Sequence, residues 1–171
     1  MDEPSIRPAR QADITDLARV QLSSALTAFA SIFPSSVPAP TLTGLESEWR
    51  ALLVDGRQHT LVTELNRKVI GVVAFGQTET GRLGNGCVLR KLYVDPDWWG
   101  GGVGSLLHDH AVAGLRSMGC TDAHLWVLER NVAARRMYEA RGWKLRPWTR
   151  SDWPGTGILE LCYSLELSTR L

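Results

Sequence analysis

Apolar residues recur along this chain in two different periods, and the change of period divides it into elements. From Asp13 onward, Ile14, Leu17, Ala18, Val20, Leu22 and Leu26 approximate the broad stripe of an amphipathic helix, predicted through Ala30. Asp13 is placed to cap that helix and Asp16 to put negative charge in its first turn. Prolines at 34, 38 and 40 must break it, and Leu42–Val54 predicts a second helix. The period then becomes two. The runs 59–64 and 68–75, joined at Leu65, Asn66 and Arg67, predict an antiparallel hairpin, and Cys87–Val94 predicts a third strand after the glycine-rich turn 81–86. Helical spacing returns in Val103, Leu106, Leu107, Ala111 and Leu115, so a helix is expected over 102–117. A short apolar strand at 124–128 leads into a helix from Asn131 through Arg141, which Gly142 stops where a left-handed cap is expected. Strands at 143–148 and 158–165 complete the pattern, which no internal repeat or low-complexity tract interrupts.

With 171 residues, 44% of them hydrophobic, the chain supplies one core and is too short for two ordinary domains, so a single domain is expected. The 19 basic residues nearly cancel the 18 acidic ones. No global field therefore draws the protein to nucleic acid or an anionic membrane, and any phosphate must be held locally. No apolar run reaches the roughly 20 residues that span a bilayer, and MDEPSIRPAR lacks the pattern of a secretion signal, which predicts a cytoplasmic protein. Cys87, Cys120 and Cys162 follow neither metal nor disulfide spacing and are expected as reduced, packed thiols. His59, His108, His110 and His124 likewise form no ligand pattern, so no metal is expected.

The most informative stretch is WWGGGVGSLL, residues 98–107, which sets Gly100, Gly101, Gly102 and Gly104 between a strand end and a helix start. Glycine admits positive φ, and its missing side chain lets successive backbone N–H groups converge on an anion at the positive end of the helix. An isolated glycine pair needs only a tight turn; a cluster at this junction points to a bound phosphate or diphosphate. A nucleotide P-loop is excluded because the loop has no lysine, and the dinucleotide fingerprint fails at Ser105 and Leu107, where it requires glycine or alanine.

At these residues the chain resembles the GCN5-related N-acetyltransferase (GNAT) superfamily, whose strand, Arg/Gln-x-x-Gly-x-Gly/Ala loop and helix cradle the diphosphate of acetyl-coenzyme A. The matching segment is LRKLYVDPDWWGGGVGSLL, with Gly102 and Gly104 in the two small-residue positions. Downstream, LWVLERNVAARRMYEARGW is similar to the family's next strand, Asn-x-x-Ala and tyrosine-bearing helix, in the same order. The resemblance implies an α/β (α+β) fold, with a mixed, mostly antiparallel sheet of about six to seven strands, helices on both faces and a splayed central strand pair. It implies acetyl-coenzyme A as cosubstrate, without a metal. It assigns coenzyme binding to Trp99, Gly100, Gly101, Gly102, Val103, Gly104 and Ser105, to the backbone of Leu92, Tyr93 and Val94, and to Asn131 and Ala134. Asn131 serves equally as a helix cap. One position departs: Trp99 stands where the family has Arg or Gln. The phosphate is thus left to backbone amides and another cation, for which Arg135 and Arg136 are available.

Acyl transfer from a thioester to an amine needs a deprotonated nucleophile, donors for the oxyanion and a way to stabilise the departing thiolate. The resemblance places the general-acid tyrosine at Tyr138. A phenol of pKa about 10 and a thiol of about 8.5 differ by roughly 1.5 units, so full donation costs about 2 kcal/mol unless the site tunes either group. For the base, many relatives carry a glutamate early in the strand before the loop, where this chain has Val88. Glu129 is the leading substitute, ahead of Glu79 and His124, and a water-mediated route is equally allowed. The family shapes its acceptor pocket from segments that correspond here to 29–49 and 148–157, both rich in aromatics and prolines. A small-molecule amine is the first expectation, a peptide or protein N-terminus the second, and a non-catalytic acyl-coenzyme A sensor the third. A homodimer is compatible with the family.

Overall fold

Strand alternation divides the apolar residues of this protein between two faces of one sheet, and each face is covered by a pair of helices. The computed structural model describes residues 3–78 and 86–168. In chain order the strands are β1 (Ser5–Pro8), β2 (Gln58–Leu65), β3 (Lys68–Gln77), β4 (Cys87–Val94), β5 (Asp122–Leu128), β6 (Lys144–Arg150) and β7 (Glu160–Glu166). The helices are α1 (Ile14–Ala28), α2 (Leu42–Val54), α3 (Val103–Ser117) and α4 (Val132–Ala140). The sheet order is β1-β2-β3-β4-β5-β7-β6, and every neighbouring pair is antiparallel except β4–β5.

β3 is buried on both faces and sorts the core. Val69, Val72 and Ala74 pack with Leu17, Val20, Leu45 and Trp49 under α1 and α2. Ile70, Val73 and Phe75 pack with Val103, Leu107, Leu115 and Tyr138 under α3 and α4. The β2–β3 hairpin turns on Asn66 and Arg67, both at positive φ (50° and 63°), the mirror-image turn whose twist suits two antiparallel strands. Gly142, at φ 86°, ends α4 as expected: its N–H bonds the Glu139 carbonyl and the N–H of Trp143 bonds that of Tyr138.

Two expectations need correction. Asp13 does not cap α1; the Arg7 guanidinium takes its carboxylate at 2.8 and 2.9 Å and the Arg10 amide adds a third bond at 2.7 Å, so the residue closes a short 3-10 turn over Gln11–Asp13. A bidentate guanidinium outcompetes a neutral amide for a carboxylate.

Cys87 and Cys120 are not reduced thiols but form a disulfide between the start of β4 and the turn after α3, which the fold brings together across a separation of 33 residues. Cys162 is the buried free cysteine. In the chain-entropy account, cross-linking a loop of this length stabilises by about 3–4 kcal/mol. Cys120→Ser is therefore expected to melt on the order of 10 °C below the oxidised parent in calorimetry, and to match the parent once both are reduced.

Candidate active site

The parallel pair is where the sheet opens. β4 and β5 are bonded only at Cys87↔Ala123 and Val88↔His124, so from Leu89 onward the edge of β4 that faces β5 has no strand partner. A bulge at Arg90, between the pairs Ala74↔Lys91 and Phe75↔Leu89, bends β4 at the point of separation. A cavity of about 560 Å³ occupies the opening and reaches from Asn131, Ala134 and Tyr138 to Phe33, Trp153 and Glu160.

Alternation then assigns side chains to each side of the opening. Leu92 and Val94 point toward α3 and α4, while Tyr93 packs with the α1–α2 cluster and Lys91 bonds Gln21 and Glu48 on those helices. On the α3 side lies the glycine loop. Gly100 and Gly102 hold φ at 77° and 84°, which a residue with a Cβ adopts at a cost. The amides of Trp99 and Gly101 close turns on Pro96 and Trp98, and the first helical bond of α3 runs from Leu106 to the Gly102 carbonyl. Among the described residues, the amides of Gly100, Gly102, Val103, Gly104 and Ser105 meet no acceptor. These are the unpaired donors of a helix start, where the helix dipole favours an anion. The Trp99 indole folds back to donate to the Val94 carbonyl at 2.8 Å, so its one donor is turned away from an anion. Arg135 is engaged by the Tyr163 hydroxyl and the Glu129 carbonyl, whereas Arg136 is exposed.

Five of the residues singled out by sequence meet at the cavity: Leu92, Tyr93, Asn131, Ala134 and Tyr138. Asn131 caps α4 through its Oδ1, which accepts from the Ala134 amide at 3.3 Å; its own amide donors make no bond among the described residues. Tyr138 is buried, and burial, with the nearby Tyr93, pushes its phenol well above the ordinary tyrosine range. The Tyr93 phenol is pushed up to about 12 by burial and by the charges of Glu48 and Glu160, against a weak bond from Gln21 at 3.4 Å.

His108 steadies the Tyr138 ring from behind, 6.3 Å between centroids, while its Nε2 accepts from the Trp143 indole at 2.9 Å and its Nδ1 meets Asp109 at 2.8 Å. Burial lowers the His108 pKa. The unfolded chain therefore binds the proton more tightly, so stability is full above about pH 6.5 and is lost as pH falls through the folded value. Melting temperatures measured from pH 8 to 5 are expected to fall less steeply in His108→Gln than in the parent.

The candidate bases fare differently. Glu129 is exposed and does not line the cavity, and His124 sits at the closed end of the strand pair opposite Val88. Glu79 lies outside the described residues, as does most of the 81–86 turn. The residues that sequence reading missed are Gln21, Lys91, Trp126 and Glu160, all on the cavity wall, whereas Glu48 falls within the expected 29–49 segment. Only the alternation of β7 hinted at one of them, since Glu160 is out of phase with the apolar Leu161, Tyr163 and Leu165.

The expected acceptor segments do meet. Phe33 packs edge-on against Trp153 at 4.9 Å, and Ile32, Leu128 and Ile158 form a small core beneath them. Residues of the 29–40 segment and Trp153 line the cavity on the α1–α2 side. Among the described residues no group of His, Cys, Asp and Glu is arranged to hold a metal ion, and no helix is long and apolar enough to cross a membrane.

A sheet opened at its parallel pair, with free amides at a helix start on one side and an aromatic-lined pocket on the other, has the architecture of an acetyltransferase domain. The model of the Acetyltransferase (GNAT) family matches residues 24–143, and the chain belongs to that family. Solved structures share the fold. The N-acetyltransferase from Staphylococcus aureus Mu50 is 19% identical, with a TM-score of 0.75 over 97% of this chain and 99% of that one. The PaiA N-acetyltransferase from Thermoplasma acidophilum, solved in complex with coenzyme A, is 17% identical (TM-score 0.74, 96% and 99%). The ribosomal-protein-S18-alanine N-acetyltransferase from Escherichia coli is 19% identical (TM-score 0.74, 98% and 96%). The comparison with curated proteins gave no match.

Proposed function

We propose that this acetyltransferase passes the acetyl group of acetyl-coenzyme A to a primary amine of a small molecule, by direct attack within a ternary complex. The observation that carries the reading is the opening between β4 and β5, with Tyr138 and the unpaired edge of β4 on one cavity. The free amides of Gly100, Gly102, Val103, Gly104 and Ser105 would hold the diphosphate. Trp99 and Gly101 contribute by shaping that turn, and exposed Arg136 is the available cation on α4. The free amide donors of Asn131 and the side chain of Ala134 would line the pantetheine arm. Main-chain groups of Leu92, Tyr93 and Val94 would bind the arm and the acetyl oxygen as charge develops on it.

The amine nitrogen attacks the thioester carbon, so that a C–N bond forms and the C–S bond breaks. The ammonium sheds one proton before attack and the amide nitrogen a second afterwards; one ends on the coenzyme sulfur and one in solvent. Tyr138 acts on the sulfur. Its raised pKa keeps it protonated throughout the working range, which suits a hydrogen-bond donor to the developing thiolate more than a residue that fully ionises. Glu129 is exposed and does not line the cavity, so a role as base would need a bridging water.

A small molecule is favoured over a peptide N-terminus because the pocket wall gathers the aromatic and proline residues of 29–40 with Trp153, which suit a compact apolar acceptor. Use of acetyl-coenzyme A supports a cytoplasmic location, where a reducing environment would open the Cys87–Cys120 disulfide.

Thermal-shift measurements test the reading. A ligand at 100 times its dissociation constant adds about 2.7 kcal/mol, and coenzyme A is expected to raise the melting temperature where ATP and NAD do not. Release of free thiol from acetyl-coenzyme A with a panel of amines then separates enzyme from sensor. Saturable coenzyme binding without turnover on any amine would overturn the catalytic reading.

A further inference from the structure

Strand alternation sets Trp126 and Leu128 of β5 and Glu160 of β7 on the face of the sheet that carries Lys91 and Tyr93, because Leu128 is paired with Glu160 and Trp126 with Cys162 across the two strands. Glu160 therefore lines the cavity from the end where β5 has left β4. Its side chain is only 14% exposed, and Arg150 of β6 holds one oxygen, Oε2, at 2.6 Å. Its Oε1 has no hydrogen-bond partner among the described residues. The same guanidinium lies over the Trp126 ring at 4.6 Å, which fixes the carboxylate against an aromatic wall.

The other charged groups on this wall are each engaged by a neighbour. Lys91 of β4 is bonded to Glu48 of α2 at 2.8 Å, and Arg90 to Gln58 at 3.1 Å. Tyr93 carries no charge in the working range. Beyond Glu160 the wall is apolar, formed by Phe29, Phe33, Val37, Trp126 and Trp153. Glu48 is 57% exposed and Arg90 is exposed, so among the charged groups on the wall Glu160 offers the most enclosed free oxygen, beside aromatic side chains that suit an apolar group.

We propose that Oε1 of Glu160 receives the ammonium group of the acceptor, and that the acceptor is a primary amine bearing an uncharged apolar substituent. The inference rests on the acetyltransferase reading above. Glu160 desolvates with its partner amine, takes up its first proton, and releases that proton to solvent after the C–N bond has formed. The thioester sulfur leaves with the second.

The test uses the full chain with saturating acetyl-coenzyme A, free-thiol detection and four acceptors: 2-phenylethylamine, spermidine, phenylalanine and a tetrapeptide with a free N-terminus. Phenylethylamine is expected to exceed each of the others in kcat/KM by roughly tenfold or more. Glu160→Gln is expected to lower that kcat/KM about 100-fold and to move the acid limb of its pH profile toward the pKa of the amine itself, and Glu160→Asp to recover part of the loss. Both variants should keep the coenzyme A thermal shift of the parent, which separates a lost amine site from misfolding. Trp153→Ala should raise KM for phenylethylamine and leave that for ethylamine unchanged. Parent-level kcat/KM in Glu160→Gln, or preference for spermidine, phenylalanine or the peptide, overturns the proposal. If coenzyme A fails to shift the parent itself, the acetyltransferase reading falls first; if it shifts normally and the acceptor order is wrong, this inference alone falls.

Discussion

Replacing Tyr138 by phenylalanine is expected to lower turnover about 100-fold, within the range typical for loss of a positioned proton donor, while the coenzyme affinity stays nearly unchanged. The substitution removes one oxygen and keeps the ring, so the contacts with His108 and Trp143 survive, 6.3 and 6.0 Å between centroids. The hydroxyl lies in a buried site that pushes its pKa far above that of a thiol. The mismatch makes complete proton transfer uphill and leaves a hydrogen bond to the departing thiolate as the main contribution. The basic limb of the pH profile should then be set by some group other than Tyr138, because a raised phenol stays protonated well beyond neutral pH. Steady-state kinetics and thermal shifts with coenzyme A check both halves, and unchanged turnover in Tyr138→Phe would remove the residue from the mechanism.

The second large effect is expected at Gly102, where Gly102→Val should abolish coenzyme binding. A Cβ added at this position meets nothing within 4 Å, so the cause is not a clash inside the protein. The cause is the backbone. Gly102 precedes α3 at φ 84°, a left-handed conformation that costs an ordinary L-residue roughly 1–2 kcal/mol and a β-branched one more. Valine is relieved only by rotating the chain just ahead of Val103, Gly104 and Ser105, whose amides would then leave the position where they converge. The added side chain also intrudes on the open space beside the loop, which an anion must occupy. Gly102→Ala should fall between parent and valine. Circular dichroism should show the helices intact in all three proteins while the coenzyme A thermal shift disappears in the valine variant. A normal shift in Gly102→Val would show that the diphosphate lies elsewhere.

Local signals carried far in this protein. The bounds of α2 and β4 are those the pattern gave, the Asn66–Arg67 turn and the Gly142 cap formed as read, and α3 begins one residue after the predicted start. The glycine cluster and Asn131, both read from spacing, sit at the starts of α3 and α4. Such features depend on φ preference, side-chain period and short hydrogen bonds, all of which lie within a few residues of each other in the chain.

What the sequence could not decide was every relation between distant segments. Cys87 and Cys120 looked unrelated because nothing in their spacing shows that the first residue of β4 and the turn after α3 share one place. Asp13 looked like a cap because Arg7 competes for it only once β1 is paired. Glu129 and Glu160 carry the same side chain at strand ends, yet one is exposed and the other faces the cavity, a choice made by the pairing of β5 with β7 and by the departure of β4 from β5. Sequence by itself determined the elements and the anion-ready helix start, since local stereochemistry sets both. Tertiary structure alone decided which carboxylate faces the cavity, because long-range pairing fixes which face of a strand turns inward.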